Sequence, residues 1–307
     1  MANNLGAYVT KFTTRLDKVI ERECLTNDLN MNGDLLGELS GAGEIKVAKM
    51  AMDGLGDYSR TSGFVQGAVT TDWETMQLRY DRGREFVIDS IDDEERDAIV
   101  SANVMAEFER TKVVPEVDAV RFAVLAEKAG TVESGALTTA DGALDAVLAA
   151  EQAIEDEGAD LAQCILYCTS AVKGLLRKAQ NYRIGQGEEP NGRFKSFDDM
   201  KIVTVPANRF YDAIDLYDGT SADETAGGYV KHAATTTPES TAAGVGLNFM
   251  IVHPSACSAI QKHKKLRYFA PDTNQDADAH KWQVRLFHDL LVYDNRAGLI
   301  YCHKATA

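Results

Sequence analysis

The sequence predicts an α+β fold, with a strand-rich front part followed by helices and a second set of strands. Three observations carry this. Apolar and polar residues alternate at Met76, Leu78 and Tyr80 and again at Phe86 and Ile88, which gives a strand one apolar and one polar face. Around Val113–Gly130, four boundary signals agree on a helix: Pro115 at its start, Glu116 and Asp118 in the first turn, Lys128 in the last, and Gly130 just beyond. Late runs at 201–205, 249–252, 283–293 and 298–303 read again as strands.

Residues 1–43 form an N-terminal arm. Val9, Phe12, Leu16 and Val19 recur at helical spacing with Lys11, Arg15 and Lys18 off that stripe, giving one short apolar face. A helix this short is marginal alone and is expected to dock on a neighbour. The Asn- and Gly-rich stretch 27–43 reads as a connector. Residues 44–91 form a long β-rich excursion, broken by Gly54, Gly56, Gly63 and Gly67 and turning again at Asp81-Arg82-Gly83-Arg84. It has no evident core of its own, and a lone hairpin is barely stable in water, so its support must come from elsewhere.

Residues 92–131 supply two helices. The first opens on Asp92-Asp93-Glu94-Glu95, where carboxylates suit the positive end of the helix dipole, and carries Ile99, Val104 and Phe108. The second starts at Pro115 and would be about 22 Å long at ~1.5 Å per residue. Val117, Val120, Phe122, Val124 and Leu125 give it a wide apolar stripe, which means heavy burial.

Residues 132–250 read as an α/β segment. Thr138 is placed to cap a helix facing inward with Leu144, Val147, Leu148 and Ile154 and ending near Gly158. A strand around Ile165, a short helix with Leu175 and Leu176, and a strand at 201–205 follow. Residues 218–246, rich in Gly, Ala, Ser and Thr, read as loop. Residues 251–307 add a helix after Pro254, with Lys262-His263-Lys264-Lys265-Leu266-Arg267 as its solvated end, and two return strands.

Composition excludes several functions. The 307 residues carry 47 acidic against 32 basic side chains, a net charge of -15, whereas a protein that clamps nucleic acid gathers Lys and Arg against phosphates. No apolar run approaches the ~20 residues of a membrane helix, and no signal-peptide layout opens the chain, so a soluble protein made in the cytosol is expected. Five cysteines without framework spacing argue against a disulfide scaffold. Cys164 and Cys168, four apart on an apolar run, point the same way on a strand and read as structural thiols. His253, His263, His280 and His288 fall late in the chain, and His288-Asp289 invites a triad or metal reading. No Gly-x-Ser-x-Gly or His-Glu-x-x-His motif supports it, and His288 on an alternating strand reads as a half-exposed polar residue. No catalytic, metal or cofactor-binding residue is expected.

The order of these motifs resembles the major capsid protein of tailed bacteriophages, the Hong Kong ninety-seven-type fold. The hairpin, the acidic-capped helix and Val113-Val114-Pro115-Glu116-Val117-Asp118 carry the likeness first. Gly54-Leu55-Gly56-Asp57-Tyr58, Gly63-Phe64, Trp73-Glu74-Thr75, Val172-Lys173-Gly174-Leu175-Leu176 and Met200-Lys201-Ile202-Val203-Thr204-Val205-Pro206 extend it over roughly residues 44–303. The resemblance implies an N-terminal arm (1–43), an extended loop reaching a neighbouring subunit (44–91), a peripheral domain with a spine helix (92–131), an axial domain (132–250) and return strands (251–307). It implies a shell of hexamers and pentamers enclosing double-stranded DNA without sequence-specific binding, no cofactor, no membrane, and portal, scaffolding and decoration proteins as partners. The location would be the virion capsid, assembled in the host cytoplasm.

By the same resemblance, Tyr58, Arg60, Phe64, Trp73, Arg79, Arg82 and Arg84 of the loop and Val9, Phe12, Leu16 and Val19 of the arm would contact other subunits, with the arginines pairing to carboxylates on those adjacent subunits. Pro115, Glu116, Asp118 and Phe122 mark the spine helix. Some members weld subunits through a lysine near the loop tip. Here Lys49 is the last lysine before Lys112, which implies a shell without that bond. Two other readings stand beside this one: an encapsulin-like nanocompartment shell, which encloses protein cargo, and a soluble metal- or His-dependent enzyme.

Overall fold

The computed structural model describes residues 24–30, 44–61, 63–89, 105–179, 196–197, 199–234 and 242–306. Its centre is a six-stranded mixed sheet. In chain order the strands of the molecule are β1 (Glu44–Met52), β2 (Val69–Gln77), β3 (Tyr80–Asp89), β4 (Thr131–Ser134), β5 (Ile165–Thr169), β6 (Ser196–Phe197), β7 (Met200–Val205), β8 (Ile214–Tyr217), β9 (Gly228–Lys231), β10 (Leu247–Val252), β11 (Cys257–Phe269), β12 (Ala279–Val292) and β13 (Ile300–Lys304). The central sheet runs β4-β13-β10-β5-β7-β6, parallel at β4/β13 and β5/β7 and antiparallel elsewhere.

Strict alternation along β5 divides the core. Cys164, Leu166 and Cys168 face one layer, while Ile165 and Tyr167 face the other. The first layer is closed by helix α2 (Ala140–Asp156) with Ala143, Val147, Ala150 and Ile154, and by α3 (Ser170–Lys178) with Val172 and Leu176. The opposite layer is closed by α1 (Val114–Lys128), whose Val120, Phe122, Val124 and Leu125 pack on Tyr167, Met250 and Cys302. A sheet buried on both faces needs apolar residues at every position, and β5 supplies them. All five cysteines are buried free thiols; burial holds Cys168 and Cys302 up at about 12.

The second sheet is antiparallel, in the order β11-β12-β3. Here the turn expected at 81–84 is absent. Asp81, Arg82, Gly83 and Arg84 continue β3, paired residue for residue with 284–287 of β12. Gly83 answers to close approach rather than to turning, since a Cβ there would lie 2.9 Å from the Val284 carbonyl oxygen. The excursion's hairpin is instead β1 with β2, in register from Glu44↔Gln77 to Met52↔Val69.

Pro115 does not begin a helix. Residues 105–108 are already helical, Glu109–Val113 forms a π-helical turn, and α1 follows without a break, with right-handed helical angles at Phe108, Val113 and Val114. A proline ring crowds the carbonyl four residues back, and the wider π turn over those residues gives it room. The acidic run at 92–95, with Ile99 and Val104, falls outside the described residues.

Three further expectations change. The cap of α2 is Thr139, whose Oγ1 accepts from the Gly142 N–H at 3.2 Å, one residue beyond Thr138. The loop at 218–246 contains the returning strand of the β8–β9 hairpin, whose turn is held by Asp218 accepting from the Thr220 and Ser221 N–H groups. The helix after Pro254 is a single 3₁₀ turn, Pro254–Ala256, and the basic run lies in the long strand β11. Proline supplied a helix-start signal, but β12, about twenty residues further on, supplies hydrogen-bond partners that the local sequence does not reveal.

Candidate assembly surfaces

The β1–β2 hairpin forms a two-stranded sheet joined by hydrogen bonds to no other strand among the described residues. Its outer end is apolar and exposed: Met52, Leu55, Tyr58, Phe64, Val65 and Val69 all stand largely in solvent. The tip has internal order. Ser59 and Gly63 exchange backbone hydrogen bonds at 3.1 and 2.8 Å, Gly63 adopts φ +80°, and the Tyr58 and Phe64 rings sit 4.8 Å apart. The turn therefore presents two aromatic rings side by side, with Arg60 exposed between them in sequence. Exposed apolar side chains grouped in this way are a candidate interaction surface. Trp73 lies within β2, opposite Ala48.

The other loop residues lie apart from this tip. Arg82 and Arg84 are in β3, and Arg79 just precedes it. All three bond within the subunit, which corrects their placement on the loop. Arg82 donates through Nε to Glu116 at 2.6 Å and reaches the carbonyls of Tyr217 and Gly228; Arg84 donates to the Thr225 carbonyl at 3.0 Å; Arg79 lies 3.6 Å from Asp289. Two residues of α1 thereby acquire distinct roles. Glu116 fixes Arg82, whereas Phe122 is core, its ring edge-on to Tyr167 and Phe210.

Asp118 does more than mark a helix start. Completely buried, its carboxylate accepts from the Cys24 thiol at 3.0 Å, the Leu25 and Thr26 N–H groups at 3.2 and 3.3 Å, the Thr26 hydroxyl at 2.9 Å and Arg209 Nη1 at 3.3 Å. One turn on, the equally buried Arg121 donates through Nη1 to the Thr26 hydroxyl at 2.9 Å and to its carbonyl at 3.3 Å. Burial first, with the Asp118 carboxylate beside it, pushes the Cys24 thiol up to about 11. Residues 24–30 are thus clamped onto α1, with Leu29 in the main core and Asn30 bridged to Ala259. The expected connector at 27–43 is overturned at its first residues. The stripe residues Val9, Phe12, Leu16 and Val19 fall outside the described residues.

Sequence reading missed Cys24, Thr26, Arg121 and Arg209. The available signal was an Asp and an Arg three apart on the apolar face of α1, because buried charges in such a place require partners.

Among the described residues the histidines do not converge, and the side chain of His263 lies outside them. His253 Nδ1 accepts from the Ser255 N–H at 3.1 Å, His280 Nδ1 bonds the Tyr268 hydroxyl at 2.7 Å, and His288 lies elsewhere on β12. His288 is 1% exposed rather than half-exposed, and desolvation, with Arg121 and Arg82 nearby, brings it down to about 3, so the ring is neutral. Asp289, its neighbour on the strand, points to the opposite face and cannot form a dyad with it. Among the described residues no group of His, Cys, Asp and Glu could hold a metal ion, and no helix is long and apolar enough to cross a membrane.

Comparison with solved structures decides the architecture. A chain from Mycobacterium phage Che8 superposes with a TM-score of 0.60 over 91% of this chain and 90% of its own, at 14% identity. A chain in the capsid of cyanophage P-SCSP1u matches at 0.57 over 87% and 85%, at 10% identity, and one from the mature capsid of bacteriophage PhiM1 at 0.54 over 86% and 82%, at 15% identity. This chain has the phage-capsid fold. The likeness is one of structure alone: no family model matches the sequence, and no curated protein does.

Proposed function

We propose that the chain is the structural subunit of an icosahedral shell, assembling with copies of itself into hexamers and pentamers that enclose double-stranded DNA. The observation that carries this reading is the hairpin. Two nine-residue strands stand on their own sheet and end in solvent-facing Leu55, Phe64 and Val65, on a fold shared along most of its length with phage capsid chains. A hairpin so poor in support gains it when the tip is covered by another subunit, and head-to-tail contacts of that kind close into rings.

The net charge of -15 suits a container whose wall must not hold the strand inside it. The reading assigns no catalytic residue and no cofactor. It places the subunit in the virion shell, assembled in the host cytoplasm, with portal, scaffolding and decoration proteins as further partners. Light scattering and electron microscopy of the purified full chain test it. Closed particles are expected; monomers alone at high concentration, with and without a scaffolding partner, would refute it.

A further inference from the structure

A cleft of about 810 Å³ opens between the π turn and first residues of α1, strand β3 and the β8–β9 hairpin. Among the described residues its wall carries Arg82, Arg84, Arg110, Lys112, Arg209 and Lys231 against two carboxylates, Glu116 and Asp218. In a chain with fifteen more acidic than basic residues, this local excess of cations runs against the whole. Some of the cations are already engaged, Arg82 by Glu116 and Arg209 by Asp118. Exposed Arg84, Lys112 and Lys231 have no carboxylate partner among the described residues.

His288 supplies a second, independent observation. It lines the same cleft, is 1% exposed, and its Nδ1 finds no hydrogen-bond partner among the described residues. A buried polar atom left unpaired is costly and rare, and this one belongs to a residue of the cleft wall. Phe86, Phe108 and Tyr217 add apolar and aromatic wall between the charges.

We propose that this cleft is a docking site for an acidic, amphipathic peptide segment of a partner protein. Its carboxylates would meet Arg84, Lys112 and Lys231, and its apolar side chains would lie on the aromatic wall. Glu116 and Asp218 disfavour a nucleic-acid strand, because a phosphate backbone presents unbroken negative charge and needs an uninterrupted track of cations. A peptide can place apolar residues opposite those two acids. The inference does not depend on shell formation, since every residue in it belongs to one subunit.

The test uses the full chain kept unassembled, with fluorescence anisotropy of two labelled probes, a peptide built from Glu, Leu and Tyr and a DNA duplex. The peptide should bind, more weakly as salt rises, and the charge-reversed pair Lys112→Glu/Lys231→Glu should weaken binding roughly tenfold or more, since opposed charges steer and hold such complexes. The neutral pair Lys112→Gln/Lys231→Gln should fall between, and it carries the test if charge reversal disturbs folding. Absence of peptide binding, or binding unchanged in the neutral pair, overturns the proposal. So does DNA binding that the variants abolish, which would make the cleft a phosphate site.

Discussion

Asp118 shows how one side chain can hold a chain segment in place. Its carboxylate is the shared acceptor for Cys24, Leu25, Thr26 and Arg209. Asp118→Ala would strand two backbone N–H groups and leave Arg209 unpaired. Removing one partner from a buried charged network costs about 3 kcal/mol or more, so denaturant unfolding should show a loss of that order. Asp118→Asn, which keeps one carbonyl acceptor, should lose less, and equal stability for Ala and wild type would mean that the clamp contributes nothing. His288 makes a pH-dependent contribution of known sign. Its folded value of about 3 lies below the ordinary 6.5, so the unfolded chain takes up the proton first. The stability it contributes is therefore fully present above pH 6.5 and is lost as pH falls from there towards 3. The slope approaches about 1.4 kcal/mol per pH unit, and His288→Gln should remove it from the profile measured between pH 6 and 4. An unchanged slope in that variant would show that the imidazole is solvated.

At the scale of elements, the hairpin tip invites the sharpest substitution. Leu55, Phe64 and Val65 are 107%, 87% and 69% exposed, so replacing all three with serine removes almost no packing within the subunit. The triple variant should melt within about 2 °C of wild type, as surface changes usually do, yet yield no closed particles. Normal particles from it would show that the tip is not a contact. What the sequence made legible follows from locality. The stripe of α1 and the apolar runs of β5 and β10 are written in adjacent residues, as is the cap of α2 to within one position. What it hid depends on distant partners. The strand character of 257–269 comes from β12, and the continuation of β3 through Asp81-Arg82-Gly83-Arg84 comes from the same strand on its other side. The clamp on α1 joins residues more than ninety positions apart, and no window of the sequence contains both halves.

On the scale of the whole molecule, the chain offers no lysine between Lys49 and Lys112. The tip and the returning strand therefore carry no amine that could attack an amide, and arginine remains protonated. Particles boiled with reductant should run as a single band near 33.5 kDa; a ladder of multimers that resists reduction would contradict this. The clamp at 24–30 also has a mechanical meaning. Load applied to the chain ahead of Cys24 ends at Asp118 and Arg121, inside the subunit, before it can be passed on to β1. It works as strain relief does where a cable enters its housing, so that a pull on the segment ahead of Cys24 would be taken up by the body of the subunit.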